Sequence, residues 1–247
     1  MKYVKNPINK EIIKSKFNDY NLPLNRESLN YFSNKDMLLV DKTLINNFIS
    51  ATDSIGDYVR EMLEKFKNGD FLEYYDFNDN IKEKIINSLN KDEIAFRCDW
   101  GLESGLPKLY EINAESCGFM IECSLIPQLI EENSLHKSVN SNLINDYVKK
   151  MTSNLNQYEK TYLISLDYIY DIQNLHFLKN FYHYDAEIIL ISQIERIEES
   201  LFYNGEKIKS VHKIYPWIWL IEDGEIDCFD EINVSDRKST RLNSSHG

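Results

Sequence analysis

The sequence predicts an α/β fold made of helices, a central β-hairpin and a βαβ unit. Three observations predict it. Two largely apolar runs, residues 161–166 and 186–192, flank a helix-like segment over 171–183, the order of a βαβ unit with buried parallel strands. Two alternating segments, 93–100 and 107–113, are joined by a glycine-containing loop, as in a hairpin. Between 38 and 66, Ile45, Phe48, Ile49, Ile55, Val59, Met62, Leu63 and Phe66 recur mostly at three- and four-residue steps, the period of an amphipathic helix.

In chain order, residues 1–35 are polar, with scattered apolar positions and no clear boundary. The 38–66 helix is expected to break near Gly56, because glycine disfavours a helix interior. Residues 78–89 read as a second, shorter helix. The two hairpin strands follow. Residues 121–130 read as helix, although Pro127 disfavours its interior. A better helix is expected over 136–151, with Val139, Leu143, Ile144, Tyr147, Val148 and Met151 on one face. After the βαβ unit, residues 201–209 read as a hairpin turning at Asn204-Gly205. No internal repeat is visible. With only eight glycines, neither GxGxxG nor a Walker A loop is present.

Composition narrows the function classes. The 247 residues are 43% hydrophobic and 13% aromatic, which suits a packed core rather than disorder. No apolar run approaches the roughly 20 residues of a membrane helix, and the N-terminus carries no apolar h-region. A soluble, cytoplasmic protein is expected. The net charge of −12 argues against a nucleic-acid or anionic-membrane partner, since both need a positive footprint. Cys98, Cys117, Cys123 and Cys228 fit no zinc or CxxC spacing and read as inert free thiols of a reducing compartment. The five histidines are too dispersed for a metal cluster and read as surface or packing residues. Glu195, Glu198 and Glu199 read as a solvated face. The aromatic run over 215–220 reads as core.

The last residues, SDRKSTRLNSSHG, break with the rest. Two of the six arginines, Arg237 and Arg241, lie in the final dozen residues. Residues 236–246 can be back-translated into a string that resembles a sequencing adapter read in frame. Residues 236–247 are therefore treated as a non-native tail and 1–235 as the native part. Without the tail's three basic residues and one acid, 25 basic and 39 acidic residues remain, a net −14. The natural protein is expected to continue beyond Ser235.

The chemistry concentrates in FRCDWGLESGLPKLYEINAES. Strand side chains alternate faces, so Arg97 shares a face with Asp99, and Glu111 shares one with Asn113. Phe96, Cys98 and Trp100 take the other face of the first strand. Leu109 is expected beside Glu111, with Lys108, Tyr110 and Ile112 pointing away. The two polar faces coincide only if paired residue numbers sum to an even value. One register puts Asp99 opposite Glu111 and Arg97 near Asn113; the neighbouring one puts Arg97 opposite Glu111. Two carboxylates and an amide oxygen are hard ligands for Mg²⁺. Arg97 cannot ligate a cation and suits a developing anion. Metal plus arginine is equipment for phosphoryl chemistry. The bland reading is a wet hairpin face with an exposed ion pair worth at most about 1 kcal/mol.

This stretch resembles the glutathionylspermidine synthase family, a branch of the ATP-grasp ligases. Members carry R-x-D, a glycine-containing turn, then K-L-x-E-x-N-A-D-T. This chain has Arg97-Cys98-Asp99, then Lys108-Leu109-Tyr110-Glu111-Ile112-Asn113-Ala114-Glu115-Ser116. Glu122 and Gln128 fall where the family has an acid and a glutamine. Asn133-Ser134-Leu135-His136 resembles its N-S-L-H, and Lys213-Ile214-Tyr215-Pro216-Trp217 its K-L-Y-P-W. Ala51-Thr52 also fits. The likeness runs in order from about residue 30 to 222.

The resemblance implies the front half of an ATP-grasp ligase. The parent would join a glutathione-like or small carboxylate to an amine such as a polyamine, using ATP and Mg²⁺ and passing through an acyl phosphate. Asp99, Glu111 and Asn113 would hold magnesium. The segment Arg97, Cys98 and Asp99 would bind the nucleotide. Arg97 would stabilise the transition state and touch substrate, and Ser116 would lie near the glutathione-like acid. There are departures: Glu115 and Cys117 stand where the family has an aspartate and a proline, and Ile218 replaces an acid. The family's nucleotide-clamping lysines lie beyond Y-P-W and are missing here, so this chain alone is expected to be inactive. The alternatives are a non-catalytic binding module and a metal-dependent hydrolase using Asp99 and Glu111. Cys117 as a nucleophile has no indicated histidine partner.

Overall fold

The computed structural model describes residues 2–33, 36–74, 77–89, 96–113, 119–137, 146, 160–182, 185–198, 200–214 and 233–234. The chain divides into two compact units. Of the described residues, one holds residue 2 and those from 39 to 113, and the other those from 3 to 38 and from 119 to 234.

The first unit holds α3 (Lys42–Lys67), α4 (Asp79–Leu89), β3 (Arg97–Glu103) and β4 (Leu106–Asn113). The Asp41 carboxylate caps α3 by accepting from the Leu44 amide at 2.9 Å, satisfying one of the helix's free donors. The helix runs unbroken through Gly56, contrary to the expected break. A lone glycine costs an interior turn only about 1 kcal/mol, less than the long apolar stripe around it returns. Residues 78–89 and the hairpin strands fall near their expected limits; positions 93–95 lie outside the described residues. Thr52 and Phe48 anchor the hairpin to α3. Trp100 Nε1 donates to Thr52 Oγ1 at 3.2 Å, and the Phe48 and Trp100 rings stand 6.2 Å apart.

The second unit opens with most of β1 (Lys2–Val4), then α1 (Lys10–Asp19) and α2 (Arg26–Ser33), elements the sequence left without boundaries; β2 (Met37–Leu39) takes the start of the stretch expected as helix from residue 38, and α3 begins only at Lys42. The signals of α1 and α2 are the caps. Asn9 accepts from the amides of Glu11 and Ile12, each at 3.0 Å, and Asn25 accepts from the Ser28 amide at 2.8 Å. Next come a π-helical turn (Ile121–Leu125) and α5 (Ile126–Glu132). Pro127 sits in the first turn of α5, where its missing N–H is tolerated. The wide turn before it is how the segment stays helical around a proline. The helix expected over 136–151 falls almost wholly outside the described residues.

The βαβ unit forms as read: β5 (Lys160–Ser165), α6 (Ile169–Lys179) and β6 (Asp185–Leu190), with Thr161 opposite Ala186 and Ile164 opposite Ile189 in parallel register. A four-stranded parallel sheet results, ordered β11 (Asn233–Val234), β10 (Ser210–Lys213), β5, β6. A meander of β7 (Glu195–Ile197), β8 (Ser200–Tyr203) and β9 (Glu206–Lys207) lies between β6 and β10 in the chain. Its turn is Asn204-Gly205, both at positive φ, 51° and 79°, as a two-residue primed turn requires. Glu195 and Glu198 are exposed, as expected.

Two apolar clusters form the core of this unit. The larger gathers Ile13, Phe17, Phe32, Ile121, Leu125, Leu163, Leu175 and Phe177 on one side of the sheet; Tyr162, Ile164, Ile189, Leu201, Ile208 and Val211 form the other. Buried amides tie the pieces together: Gln173 Nε2 donates to the Pro23 carbonyl at 2.7 Å, and Asn174 Oδ1 accepts from the Ile121 amide at 3.1 Å. Among the described residues, no helix is long and apolar enough to cross a membrane.

Candidate functional site

The β3–β4 hairpin closes through Ser104 and Gly105, at φ 53° and 82°, another two-residue primed turn. Such a turn sets an odd register. Glu103 pairs with Leu106, Gly101 with Lys108 and Trp100 with Leu109, all summing to 209. Continued without interruption, that register would place Glu111 opposite Cys98, on the face turned to α3, and split the carboxylates. A bulge between the pairs of Asp99 and Trp100 prevents this. Tyr110 is the extra residue. Beyond it Asp99 pairs with Glu111, Cys98 with Ile112, and Arg97 with Asn113. Of the two registers left open by the sequence, the structure adopts the one with Asp99 facing Glu111.

The bulge corrects the expected faces of β4. Leu109 lies across from Trp100, on the packed face with Cys98 and Ile112, not beside Glu111. Neither Lys108, which pairs with Gly101, nor Tyr110 points away. A Cβ built on Gly101 would fall 2.5 Å from the Tyr110 ring, and Gly101 shares the Asp99 face. The ring therefore lies over Gly101 on the polar face, and Tyr110 remains 69% exposed. The sequence signal was the glycine itself, since glycine inside a strand marks a bulge or a close approach.

On that face Arg97 grips Asp99 with two bonds, Nε to Oδ1 at 2.6 Å and Nη2 to Oδ2 at 2.8 Å. Arg97 Nη2 also lies 3.7 Å from Glu111 Oε1, and Asn113 Nδ2 donates to the same Glu111 oxygen. Two carboxylates directly opposite each other repel; the guanidinium between them offsets this. The Arg97 bonds hold the Asp99 carboxyl below its ordinary range, with Glu111 adding to the effect. Arg97, Asp99, Glu111 and Asn113 are thus one connected set. Cys98 is not part of it: its side chain takes the opposite face. Burial, and then Asp99, push its thiol pKa up, as befits an inert cysteine. Ser116 and Cys117 lie outside the described residues.

The donor set fits a magnesium ion chemically. Asp99 and Glu111 offer carboxylate oxygens. Asn113, its amide nitrogen turned to Glu111, keeps a carbonyl oxygen for a cation. A hard cation with few protein ligands completes its shell with water and phosphate. Among the described residues, no group of three or more His, Cys, Asp and Glu could hold a metal, so any cation here depends on the amide and on such outside ligands.

The other sequence-flagged residues have structural positions. Thr52 supports Trp100. Gln128 Nε2 donates to Glu132 along α5 at 3.0 Å. Asn133 and Ser134 donate to the Leu129 and Ile130 carbonyls at 2.8 and 2.7 Å and so stop α5; His136 is exposed. Lys213 is buried at the carboxyl end of β10, and Tyr215, Pro216, Trp217 and Ile218 lie outside the described residues. Among the described histidines, His212 is fully buried and His176 is shifted down by burial and by Lys179.

A second polar group in the other unit was not foreseen as a set. Tyr168 and Tyr170, after the carboxyl end of β5, meet at a tilt, and Tyr31 stands edge-on to Tyr170. Burial raises the Tyr31 hydroxyl pKa, followed by the charges of Glu122 and Tyr168. The carboxyl ends of parallel strands are where open α/β sheets bind ligands.

Residues 4–241 match the family model described as glutathionylspermidine synthase preATP-grasp. No curated protein matches the chain.

Proposed function

The chain belongs to the glutathionylspermidine synthase family, through its preATP-grasp region, and from that membership we propose that its parent is an ATP- and magnesium-dependent acid–amine ligase. The observation that carries the proposal is the hairpin register, which brings Arg97, Asp99, Glu111 and Asn113 onto one face. Fold likeness alone would not name a chemistry; four groups suited to phosphoryl transfer on one face support one.

In this reading a substrate carboxylate oxygen attacks the γ-phosphorus of ATP and ADP leaves. The amine nitrogen then attacks the acyl carbon, phosphate leaves, and the nitrogen loses a proton to give the amide. Asp99, Glu111 and Asn113 would hold magnesium, which when bound neutralises charge on the nucleotide phosphates. Arg97 would turn part of its fork from Asp99 to the transferring phosphoryl oxygens, where a planar cation stabilises spreading negative charge. Asn113 would orient Glu111.

The experiment uses the full-length gene product, supplied with Mg-ATP, a glutathione-class acid and a polyamine. ADP release requiring both acid and amine is expected. Arg97→Ala should lower kcat by about 10²–10³-fold, the loss typical of one transition-state donor. Wild-type turnover in Arg97→Ala sinks the proposal. Product formation without amine would point to a hydrolase, and binding without turnover to a ligand-binding module.

A further inference from the structure

The bulge in β4 aims one more side chain at the site. Without it, Tyr110 would fall opposite Asp99 in the odd register and Glu111 would be lost to the packed face. With it, both Tyr110 and Glu111 stand on the polar face. Gly101 completes the arrangement, because only a residue without Cβ leaves room for the ring. One side of the ring covers the Gly101 backbone and the other is open to solvent, so the ring is a flat apolar surface beside two carboxylates. Bulges next to binding sites commonly re-aim a side chain in this way.

The surroundings say what would lie on it. Toward the turn, Lys108 is opposite Gly101 and its ammonium pairs with Glu103 at 2.9 Å. Away from the turn are Arg97 and Asn113. The turn side of the site therefore offers a ring face flanked by one cation and one anion. A zwitterionic, peptide-like molecule matches that pattern. Its carboxylate would meet Lys108, its ammonium Glu103, and its methylene groups the ring. A nucleobase would gain nothing from the ion pair.

We propose that Tyr110, seated on Gly101, is a substrate-contacting residue that positions the peptide-like acid beside the Arg97–Asn113 set. The proposal rests on the ligase reading for what is activated there, and its test is built to fail separately.

The protein is the full-length gene product, with glutathione as the probe acid. Tyr110→Ala should raise KM for glutathione about tenfold while kcat and KM for ATP stay near wild type. Tyr110→Phe should behave as wild type, since the ring and not the hydroxyl makes the contact. Gly101→Ala should displace the ring and mimic Tyr110→Ala, and adding Gly101→Ala to Tyr110→Ala should change little further. A merely structural role would give additive losses of stability without this KM pattern. In parallel, the Tyr110 ring resonance, identified by its absence in Tyr110→Phe, should move on addition of glutathione with Mg-ATP. That readout needs no turnover. A resonance that ignores glutathione, or one that moves fully with Mg-ATP alone, overturns the assignment whether or not the protein proves to be a ligase. Absent ADP release with a glutathione-dependent shift would instead sink the ligase reading and leave the contact standing.

Discussion

Asp99 is held by two bonds from one guanidinium, and its carboxyl is accordingly depressed. A depressed acid contributes stability above its ordinary range and loses it as pH falls through the lowered value. The side chain is 38% exposed, so solvent screens most of that contribution. The titration itself is the better observable. Arg97→Met should let the Asp99 carboxyl titrate at higher pH, because the bonds that lower it come chiefly from the guanidinium. Carboxyl-carbon NMR titration reads this directly; an unmoved Asp99 would mean that Arg97 does not set its charge. What was legible in the sequence at this scale was membership of the set, because strand alternation puts Arg97 with Asp99 and Glu111 with Asn113. Tyr110 was not legible. Alternation assumes a regular strand, and a single extra residue reverses it.

At the scale of elements, the same contrast recurs around Gly56 and Gly101. Periodicity identified α3 and the hairpin, because each buries one face, and continuous apolar runs identified the βαβ unit, whose strand β5 is buried on both faces. The break expected at Gly56 did not occur, since one glycine is a small penalty inside a 26-residue helix. A Cβ at Gly56 would meet the Phe96 ring at 3.7 Å, an ordinary contact. Gly56→Ala should therefore stabilise the protein by about 0.5–1 kcal/mol, the helix-propensity difference, seen as a higher urea midpoint with an unchanged slope. A lower midpoint would show that Phe96 cannot accommodate the methyl group. The N-terminal helices escaped the reading for a different reason. They are short and mostly polar, and of their apolar side chains Ile13, Phe17 and Phe32 are the ones buried. Their evidence is in caps, single residues that hydrophobic periodicity does not weigh.

At the scale of the whole molecule, the buried apolar clusters lie in the unit that carries the parallel sheet. The sheet carries a buried imidazole whose state depends on pH. His212 is fully buried on β10, with the Tyr182 ring edge-on at 6.4 Å. Burial first, and then the charge of Lys213, push its pKa from 6.5 down to about 3. The folded protein keeps this imidazole neutral where the unfolded chain would protonate it. Between those two values the unfolded state binds more protons, so stability rises with pH and falls on acidification. The loss begins near pH 6.5 and continues toward 3. Carboxylates also titrate over the lower part of that range, so the informative comparison is with a variant. Between about pH 7 and 5.5, His212 should account for roughly 1 kcal/mol of lost stability. His212→Leu, which keeps an apolar side chain of similar bulk, should flatten that part of the pH profile whatever it does to stability at neutral pH. Urea unfolding of both proteins across the range measures the slope. Equal slopes would mean that the folded protein lets His212 take up its proton, through an opening of the sheet that the static structure does not display.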